Sequence, residues 1–230
     1  MDLDLVGLGH TLSVWLVPVV VAITLHEAAH GWVAERFGDS TARMLGRVTF
    51  NPIKHVDPVG TLLLPGLLLL FNAPFLFGYA KPVPVNFGRL NHPKRDMIWV
   101  ALAGPGTNIG LAIASALLIH VALLLPPTVS EWVVTNLANS VLINVVLAVF
   151  NMLPLPPLDG GRVLTGLLPR PYAWRFAQLE RYGLVILLGL LFLVPYIAES
   201  LGYAFNPIAY VLLPPIDWLY HLILGLAALL

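Results

Sequence analysis

Apolar residues fill long stretches of this chain, and short polar segments separate them. A helix that crosses a membrane needs about 20 consecutive, mostly apolar residues. The stretches that meet or approach this requirement are residues 11–36, 97–125, 132–152, 183–198 and 206–228. The pattern predicts an all-α polytopic membrane protein.

A further apolar run, residues 59–78, contains Pro65, Gly66, Asn72 and Pro74. Proline and glycine break helices, and backbone groups freed in this way are tolerated in a membrane only where protein or water covers them. The run therefore either crosses the membrane or enters it and returns to the same side as a re-entrant segment.

The distribution of basic residues favours the re-entrant alternative. All 12 Lys and Arg residues lie in two segments, 36–95 and 162–181, and loops rich in these residues stay in the cytoplasm. If run 59–78 re-enters, every basic residue is cytoplasmic, and the loops around Glu131 and Glu199 are outside. If the run crosses, the basic residues before it move to the opposite side. We therefore predict five crossings and one re-entrant segment, with six crossings as the alternative.

The segment between the first two apolar regions has a different pattern. Residues 43–58, RMLGRVTFNPIKHVDP, combine β-branched and turn-forming residues without a helical stripe. This composition predicts a short, membrane-associated β-hairpin near the membrane surface.

Composition agrees with a membrane protein of one domain. Of the 230 residues, 58% are hydrophobic and only 10% are charged, whereas soluble domains carry about 25% charged residues. The net charge of zero gives no indication of a nucleic-acid partner. The absence of cysteine excludes disulfides, thiolate metal sites and cysteine nucleophiles. No basic start or small-residue cleavage site marks a signal peptide, so we interpret the first apolar run as a retained helix. We expect residues 1–230 to form a single integral membrane domain.

Three ionisable residues interrupt the first apolar stretch, in the sequence LHEAAHG. Ionisable groups are costly in a membrane and usually mark a function. His26 and His30 are four positions apart, so they share one face of a helix and can bind one metal ion. Glu27 follows the first histidine and can take a proton from a water molecule that zinc has acidified to a pKa of about 7.

A catalytic zinc ion normally has three protein ligands, so the motif requires another ligand elsewhere. Asp159 is the candidate, within FNMLPLPPLDGGRVL (residues 150–164). The prolines there prevent a regular helix, and the glycines allow close backbone approach. The predicted topology puts Asp159 at the cytoplasmic end of its span, and His26 lies about 15 Å along its helix from Arg36. The alternative is that Asp159 only caps the following helix.

Three motifs together resemble the site-2 protease family of intramembrane zinc metalloproteases, which is peptidase family M50. They are HEAAH, AGPGTN at residues 103–108 and NMLPLPPLDGG at residues 151–161. The resemblance covers a catalytic core of about residues 11–165 and leaves residues 183–230 as accessory C-terminal helices. With no long polar stretch for an additional domain, the chain is similar to the small branch of the family that lacks a PDZ domain.

The resemblance implies a set of ligands and a general base. His26, His30 and Asp159 bind one Zn²⁺ ion per chain, and Glu27 is the general base. The implied partners are a transmembrane protein or peptide substrate and the lipid bilayer. The implied location is the inner membrane of a prokaryotic cell, with the active site toward the cytoplasm.

The resemblance also implies substrate-binding residues. Asn151 matches the family asparagine that holds substrate or stabilises the reacting carbonyl, and Asn108 matches the asparagine of a Gly-Pro-x-x-Asn motif. Segment 43–58 resembles the membrane-associated strands that pair with an extended substrate. His55 is a candidate from its position alone, because it lies on the loop expected to cover the site. It would either gate water or simply bond to the backbone.

Two other functions agree with the same residues. One is a catalytically inactive relative that binds transmembrane segments without cleaving them. The other is a proton or ion relay through His26, Glu27 and His30. The oligomeric state stays open, with a homo-oligomer as one option.

Overall fold

A computed structural model describes residues 5–70 and 78–229, and the regular elements in this part of the chain are all helical. The α-helices are α1 (Leu5–Arg36), α2 (Thr41–Met44), α3 (Leu64–Leu70), α4 (Pro93–Ala122), α5 (Pro127–Asn151), α6 (Asp159–Leu167), α7 (Arg170–Ala177), α8 (Glu180–Leu188), α9 (Val194–Ser200) and α10 (Pro207–Leu226). Tighter 3₁₀ turns occupy Pro52–His55 and Phe87–Arg89, and wider π-helical turns occupy Pro58–Leu63 and Gly189–Leu193.

Within the described residues, five helical stretches are long and apolar enough to cross a membrane, which confirms the predicted fold class. They are Gly9–Arg36, Pro93–Ala122, Pro127–Asn151, Glu180–Ser200 and Pro207–Leu226. Three of them begin with a proline in the first turn. Proline suits this position because its missing N–H would have no partner within the helix.

Helices α1, α4 and α5 pack together and form the centre of the bundle. Helix α4 runs antiparallel to α1, because His26 contacts Asn108 while His30 contacts Val100. Ala22 of α1 is completely buried, and small side chains of this kind let helix backbones approach closely in a membrane. This packing brings the ionisable face of α1 against the middle of α4.

The predicted β-hairpin at residues 43–58 is wrong. The segment leaves α2, passes through bends and forms the 3₁₀ turn Pro52–His55, and no strand occurs anywhere in the described residues. Asn51 and Asp57 accept hydrogen bonds from nearby backbone N–H groups through their side chains. Such local bonds compete with strand pairing, and Pro52 has no N–H to donate to a ladder.

The two ends of the apolar run 59–78 lie side by side. The Tyr79 N–H donates to the Gly60 carbonyl at 3.0 Å, and the Thr61 hydroxyl donates to the Tyr79 carbonyl at 2.9 Å. The chain therefore enters and leaves this region at the same place, as a re-entrant segment does. Residues 71–77, which belong to this prediction, lie outside the described residues.

Helix α10 runs in the same direction as α4, which differs from the predicted topology. Near the start of α10, Leu212 shares a buried cluster with Leu153, which follows the end of α5. At the other end, the Ala227 carbonyl accepts a hydrogen bond from the His120 ring at 2.6 Å. The loop after Glu199 therefore lies at the same end of the bundle as the end of α5. That loop carries no Lys or Arg, so the distribution of basic residues does not predict the side of the membrane on which it lies.

Asp39 joins the end of α1 to segment 78–86, which has no regular secondary structure. Its carboxylate is completely buried and accepts hydrogen bonds from the Asn86 N–H at 2.6 Å and from the N–H and hydroxyl of Thr41. Burial alone would raise the pKa of Asp39, but these hydrogen bonds and the positive charge of Arg89 hold the pKa below its usual range. This carboxylate therefore fixes the place where segment 78–86 passes α1.

We expect Asp39→Ala to lower the free energy of unfolding by about 1–3 kcal/mol at neutral pH, because buried donors lose their acceptor. A lowered folded-state pKa gives stability that is present above the unfolded-state pKa of about 4 and is lost as the pH falls through the folded-state value. The difference between wild type and variant should therefore shrink in acid. Thermal unfolding in detergent measures it, with Glu131→Ala as an exposed-carboxylate control, and equal stability at pH 7 would contradict this role of Asp39.

Candidate metal centre

His26 and His30 lie one turn apart on the buried face of α1. Their Nε2 atoms are 3.1 Å apart, and their rings meet edge to face. Helix α4 packs directly against both rings at Gly104, where an added Cβ would lie 2.5 Å from each Nε2 atom. Only glycine therefore leaves room for both imidazoles at this point of α4. Gly104 belongs to the AGPGTN motif, but the motif alone did not indicate this contact.

Asp159 is the first residue of α6, and its buried carboxylate completes the cluster. Its Oδ2 atom lies 3.2 Å from Nε2 of His26 and 3.4 Å from Nε2 of His30. The adjacent glycines permit this position: a Cβ on Gly160 would lie 2.2 Å from the Met152 carbonyl oxygen. Close backbone approach was the reason that the sequence suggested for these glycines.

The spacing of these three atoms fits a tetrahedral metal site. Metal–ligand bonds of about 2.0–2.1 Å require ligand atoms about 3.3–3.4 Å apart, and the observed separations are 3.1, 3.2 and 3.4 Å. Oδ2 of Asp159 is buried and has no hydrogen-bond partner. Two imidazole nitrogens and one carboxylate oxygen are also a donor set typical of catalytic zinc. The three side chains can therefore hold one divalent metal ion.

Hydrogen bonds on the far side of each ring turn the Nε2 lone pairs toward one another. Nδ1 of His26 donates to the Asn108 side-chain oxygen at 2.5 Å, and Nδ1 of His30 donates to the Val100 carbonyl at 2.7 Å. Because both oxygens only accept, the ring protons reside on Nδ1 and leave Nε2 free to bind a metal. Two lone pairs and a carboxylate oxygen would repel one another without a cation between them.

Asn108 lies behind His26 and is completely buried. Its amide nitrogen donates to the Asn144 side-chain oxygen at 2.7 Å, and Asn144 in turn donates to the Ser140 carbonyl at 2.8 Å. This bond connects α5 to α4. The side chain of Asn108, which the family resemblance assigned to substrate, thus contacts a histidine of the cluster.

Glu27 points to the other side of the cluster, where segment 78–86 passes without regular secondary structure. Its Oε2 atom accepts a hydrogen bond from the Val83 N–H at 2.7 Å. Pro82 and Pro84 flank Val83 and have no N–H group, so this donor stands alone within the Pro-Val-Pro sequence. Nothing in the local sequence pattern indicated that Val83 would reach Glu27.

A cavity of about 450 Å³ adjoins the cluster. Glu27, Asn151 and both histidines line it, together with Asp159 and residues of segment 78–86. Asn151 donates one side-chain N–H to the Leu147 carbonyl at 3.0 Å, which leaves its other amide N–H and its oxygen for a ligand. The cavity is therefore polar where the cluster borders it.

His55 is buried in the 3₁₀ turn that precedes the re-entrant run. Its Nε2 atom bonds to the Thr49 carbonyl at 3.1 Å, and its own carbonyl accepts from the Lys81 N–H at 2.9 Å. The structure thus places His55 in backbone contacts that join its turn to the segment beside Glu27.

Comparison with known proteins gives consistent matches. The model of "Peptidase family M50" matches residues 127–195, a region that includes Asn151 and Asp159. The chain is 38% identical over 184 residues to "Putative zinc metalloprotease YwhC" of Bacillus subtilis, which covers 78% of this chain and 80% of that protein. It is 34% identical over 177 residues to "Putative zinc metalloprotease Rip2" of Mycobacterium tuberculosis strain H37Rv, which covers 76% of this chain and 65% of that protein.

An archaeal relative, "Putative zinc metalloprotease MJ0611" of Methanocaldococcus jannaschii, is 35% identical over 123 residues, which cover 53% of this chain and 60% of that protein. No solved structure gives a significant match. The likeness to YwhC extends over most of both chains and agrees with the match of the M50 model around Asp159. On this evidence the chain belongs to peptidase family M50.

Proposed function

We propose that this protein is an intramembrane zinc metalloprotease that hydrolyses peptide bonds within or near transmembrane segments of membrane proteins. The observation that carries the proposal is the convergence of Nε2 of His26, Nε2 of His30 and Oδ2 of Asp159 within 3.4 Å of one another. The names of the relatives support zinc as the metal. When bound, zinc supplies a Lewis acid that polarises a carbonyl and a water molecule.

Glu27 is the proposed general base. Its carboxylate lines the cavity beside the three ligands, and the Val83 N–H holds one of its oxygens. The other oxygen takes a proton from the attacking water as the new C–O bond forms. Glu27 then gives this proton to the amide nitrogen as the C–N bond breaks, so that it ends the cycle as a carboxylate.

The substrate must unwind before cleavage, because a transmembrane helix satisfies its own backbone hydrogen bonds. Segment 78–86 lies along the cavity next to Glu27 and has no regular secondary structure. Pro82 and Pro84 favour an extended backbone at the residues that precede them, Lys81 and Val83. We assign the pairing with an extended substrate to this segment instead of residues 43–58, since an extended backbone can add to a peptide as a neighbouring strand. Asn151 at the cavity wall can donate a hydrogen bond to the carbonyl oxygen as it gains negative charge.

The site is proposed to face the cytoplasm of a prokaryotic cell. His26 and His30 lie toward the Arg36 end of α1, and Asp159 follows the end of α5, so the cluster is near the end of the bundle that carries the Lys and Arg residues. Loops with these residues remain in the cytoplasm, and the relatives named above come from bacteria and an archaeon. An inactive, binding-only relative is less well supported, because the ligand set and the acid–base residue are all present.

We expect Glu27→Gln to bind zinc normally but to lose at least about 100-fold in kcat/KM, because the amide cannot take a proton. The measurement is cleavage of a transmembrane peptide by the purified protein in detergent, with zinc content determined on the same sample. Wild-type cleavage by this variant would refute the assignment of the base, and a loss of zinc would show that Glu27 supports the metal site instead.

Removing a group that only hydrogen-bonds to a metal ligand typically weakens metal binding 10- to 100-fold. Because Asp159 is itself a proposed ligand, we expect Asp159→Ala to weaken zinc binding by more than this. Elemental analysis after dialysis against a competing chelator should find about one zinc per chain in the wild type and little in the variant. Glu131→Ala, which removes an exposed carboxylate at the other end of α5, serves as the control. Full zinc occupancy in Asp159→Ala would contradict the three-ligand site.

The contribution of the hydrogen bond from the Val83 N–H to Glu27 can be tested by Val83→Pro. This substitution removes the donor while keeping an extended backbone. We expect kcat to fall by about 10- to 100-fold, in line with about 1.5–3 kcal/mol for a hydrogen bond to a charged group, with zinc content unchanged. Val83→Ala keeps the N–H and should retain most of the activity. If both variants lose activity equally, packing of the Val83 side chain against Gly31, and not the hydrogen bond, is responsible.

A further inference from the structure

An acid–histidine pair lies on the outer face of α10, away from the metal centre. The ring of His221 lies 3.3 Å from the Asp217 carboxylate, and 76% of the Asp217 side chain and 55% of the His221 side chain are exposed. Both residues lie in the middle part of a helix long and apolar enough to cross the membrane. The proposed protease mechanism uses neither of them.

An exposed pair of this kind is costly in a bilayer. Ionisable side chains within membrane-spanning helices normally face the interior of a bundle, a water-filled cavity or a partner. Here Ile223 and Leu212 occupy the buried face of α10, so the helix cannot turn Asp217 inward without exposing its own packing residues. None of the described residues covers the pair, so its exposure favours a covering surface from a second molecule.

The exposed face of α10 has the spacing of a helix–helix seam. Its exposed positions include Tyr210, Pro214, Asp217, His221 and Gly225, which follow one another at intervals of 4, 3, 4 and 4 residues. This spacing keeps side chains on one stripe, as in a heptad pattern. Gly225 at one end of the stripe permits the close backbone approach that is common where membrane helices associate.

We propose that α10 is the dimerisation helix of this protein and that its occupant is α10 of a second copy. Two copies with the same orientation in the membrane present parallel α10 helices, so equivalent positions of the stripe meet across a two-fold axis. Asp217 of each copy then hydrogen-bonds to His221 of the second copy. Asp217 and His221 are four residues apart, about 6 Å along the helix, so each Asp217 side chain reaches one turn along the second helix to its His221. The two contacts are reciprocal, as a symmetric interface requires.

This arrangement also explains a recess beside Asp217. A space of about 460 Å³ lies between α10 and Leu142 of α5 and is bordered by Asp217 and Pro214. A second α10 along the stripe would cover this recess and remove the acid–histidine pair from lipid. The proposal concerns a surface on the far side of α10 and does not depend on the proposed protease activity.

The absence of cysteine from the chain allows a clean cross-linking experiment. Gly225→Cys places a single thiol on the stripe, and Leu226→Cys places one at nearly the same depth, about 100° around the helix. The purified full-length protein would be reconstituted into liposomes at low density and oxidised. We expect Gly225→Cys to form a disulfide-linked dimer and Leu226→Cys to form much less.

Adding Asp217→Leu or His221→Leu to Gly225→Cys is expected to lower the cross-linked fraction at limiting protein density by roughly three- to tenfold, the range for one or two interhelical hydrogen bonds in a membrane. Unchanged thermal unfolding of these variants would show that the bundle remains folded. Equal cross-linking at both cysteine positions, no cross-linking at either, or no effect of the leucine substitutions would overturn the proposal. A monomeric purified protein would point instead to a different membrane protein as the occupant of the stripe, which also overturns it.

Discussion

Three electron-rich atoms meet in a buried space toward the end of the bundle that carries the Lys and Arg residues, and much of the surrounding structure keeps them there. The nitrogens of His26 and His30 and the oxygen of Asp159 are 3.1–3.4 Å apart, an arrangement that needs a positive charge among them. Gly104 provides the space on α4, and the glycines after Asp159 let the start of α6 approach the end of α5. The close packing of small residues is therefore a condition for bringing these three atoms together.

Hydrogen bonds extend this organisation outward from the cluster. Asn108 orients His26 and is itself held by Asn144, so a chain of amide groups connects α1, α4 and α5 inside an apolar bundle. An unpaired amide would be expensive in this environment, whereas a fully paired one restricts the imidazole to a single orientation. On the opposite side, the backbone of segment 78–86 reaches Glu27, and Asp39 fastens the same segment to the end of α1. A loop thus approaches the candidate active site from a defined position.

The periphery of the bundle follows a different constraint. The apolar residues of α10 that pack on α4 and α5 also determine which of its residues face outward, and Asp217 and His221 are among them. Packing inside the bundle therefore determines which side chains α10 presents on the outer surface. Lipid offers no hydrogen bonds to such a pair, so the outer face of α10 requires a polar partner. This requirement is separate from that of the metal centre.

Local patterns in the sequence determined a large part of what the structure contains. Long apolar stretches are enough to identify membrane helices, the four-residue spacing of His26 and His30 places them on one face, and the prolines and glycines around Asp159 indicate a tight, irregular approach. Each of these inferences depends on neighbours along the chain, whose geometry is nearly independent of the rest of the fold.

Contacts between distant segments had no such signal. Residues 43–58 were expected to pair as strands, but local side-chain caps and packing against α1 prevailed. The direction of α10, the position of Gly104 against the imidazoles and the bond from Val83 to Glu27 depend on how helices and loops pack in three dimensions. Tertiary structure decided these features, because many packings can bury the same apolar residues, and only complementary shapes and paired polar groups distinguish one from another.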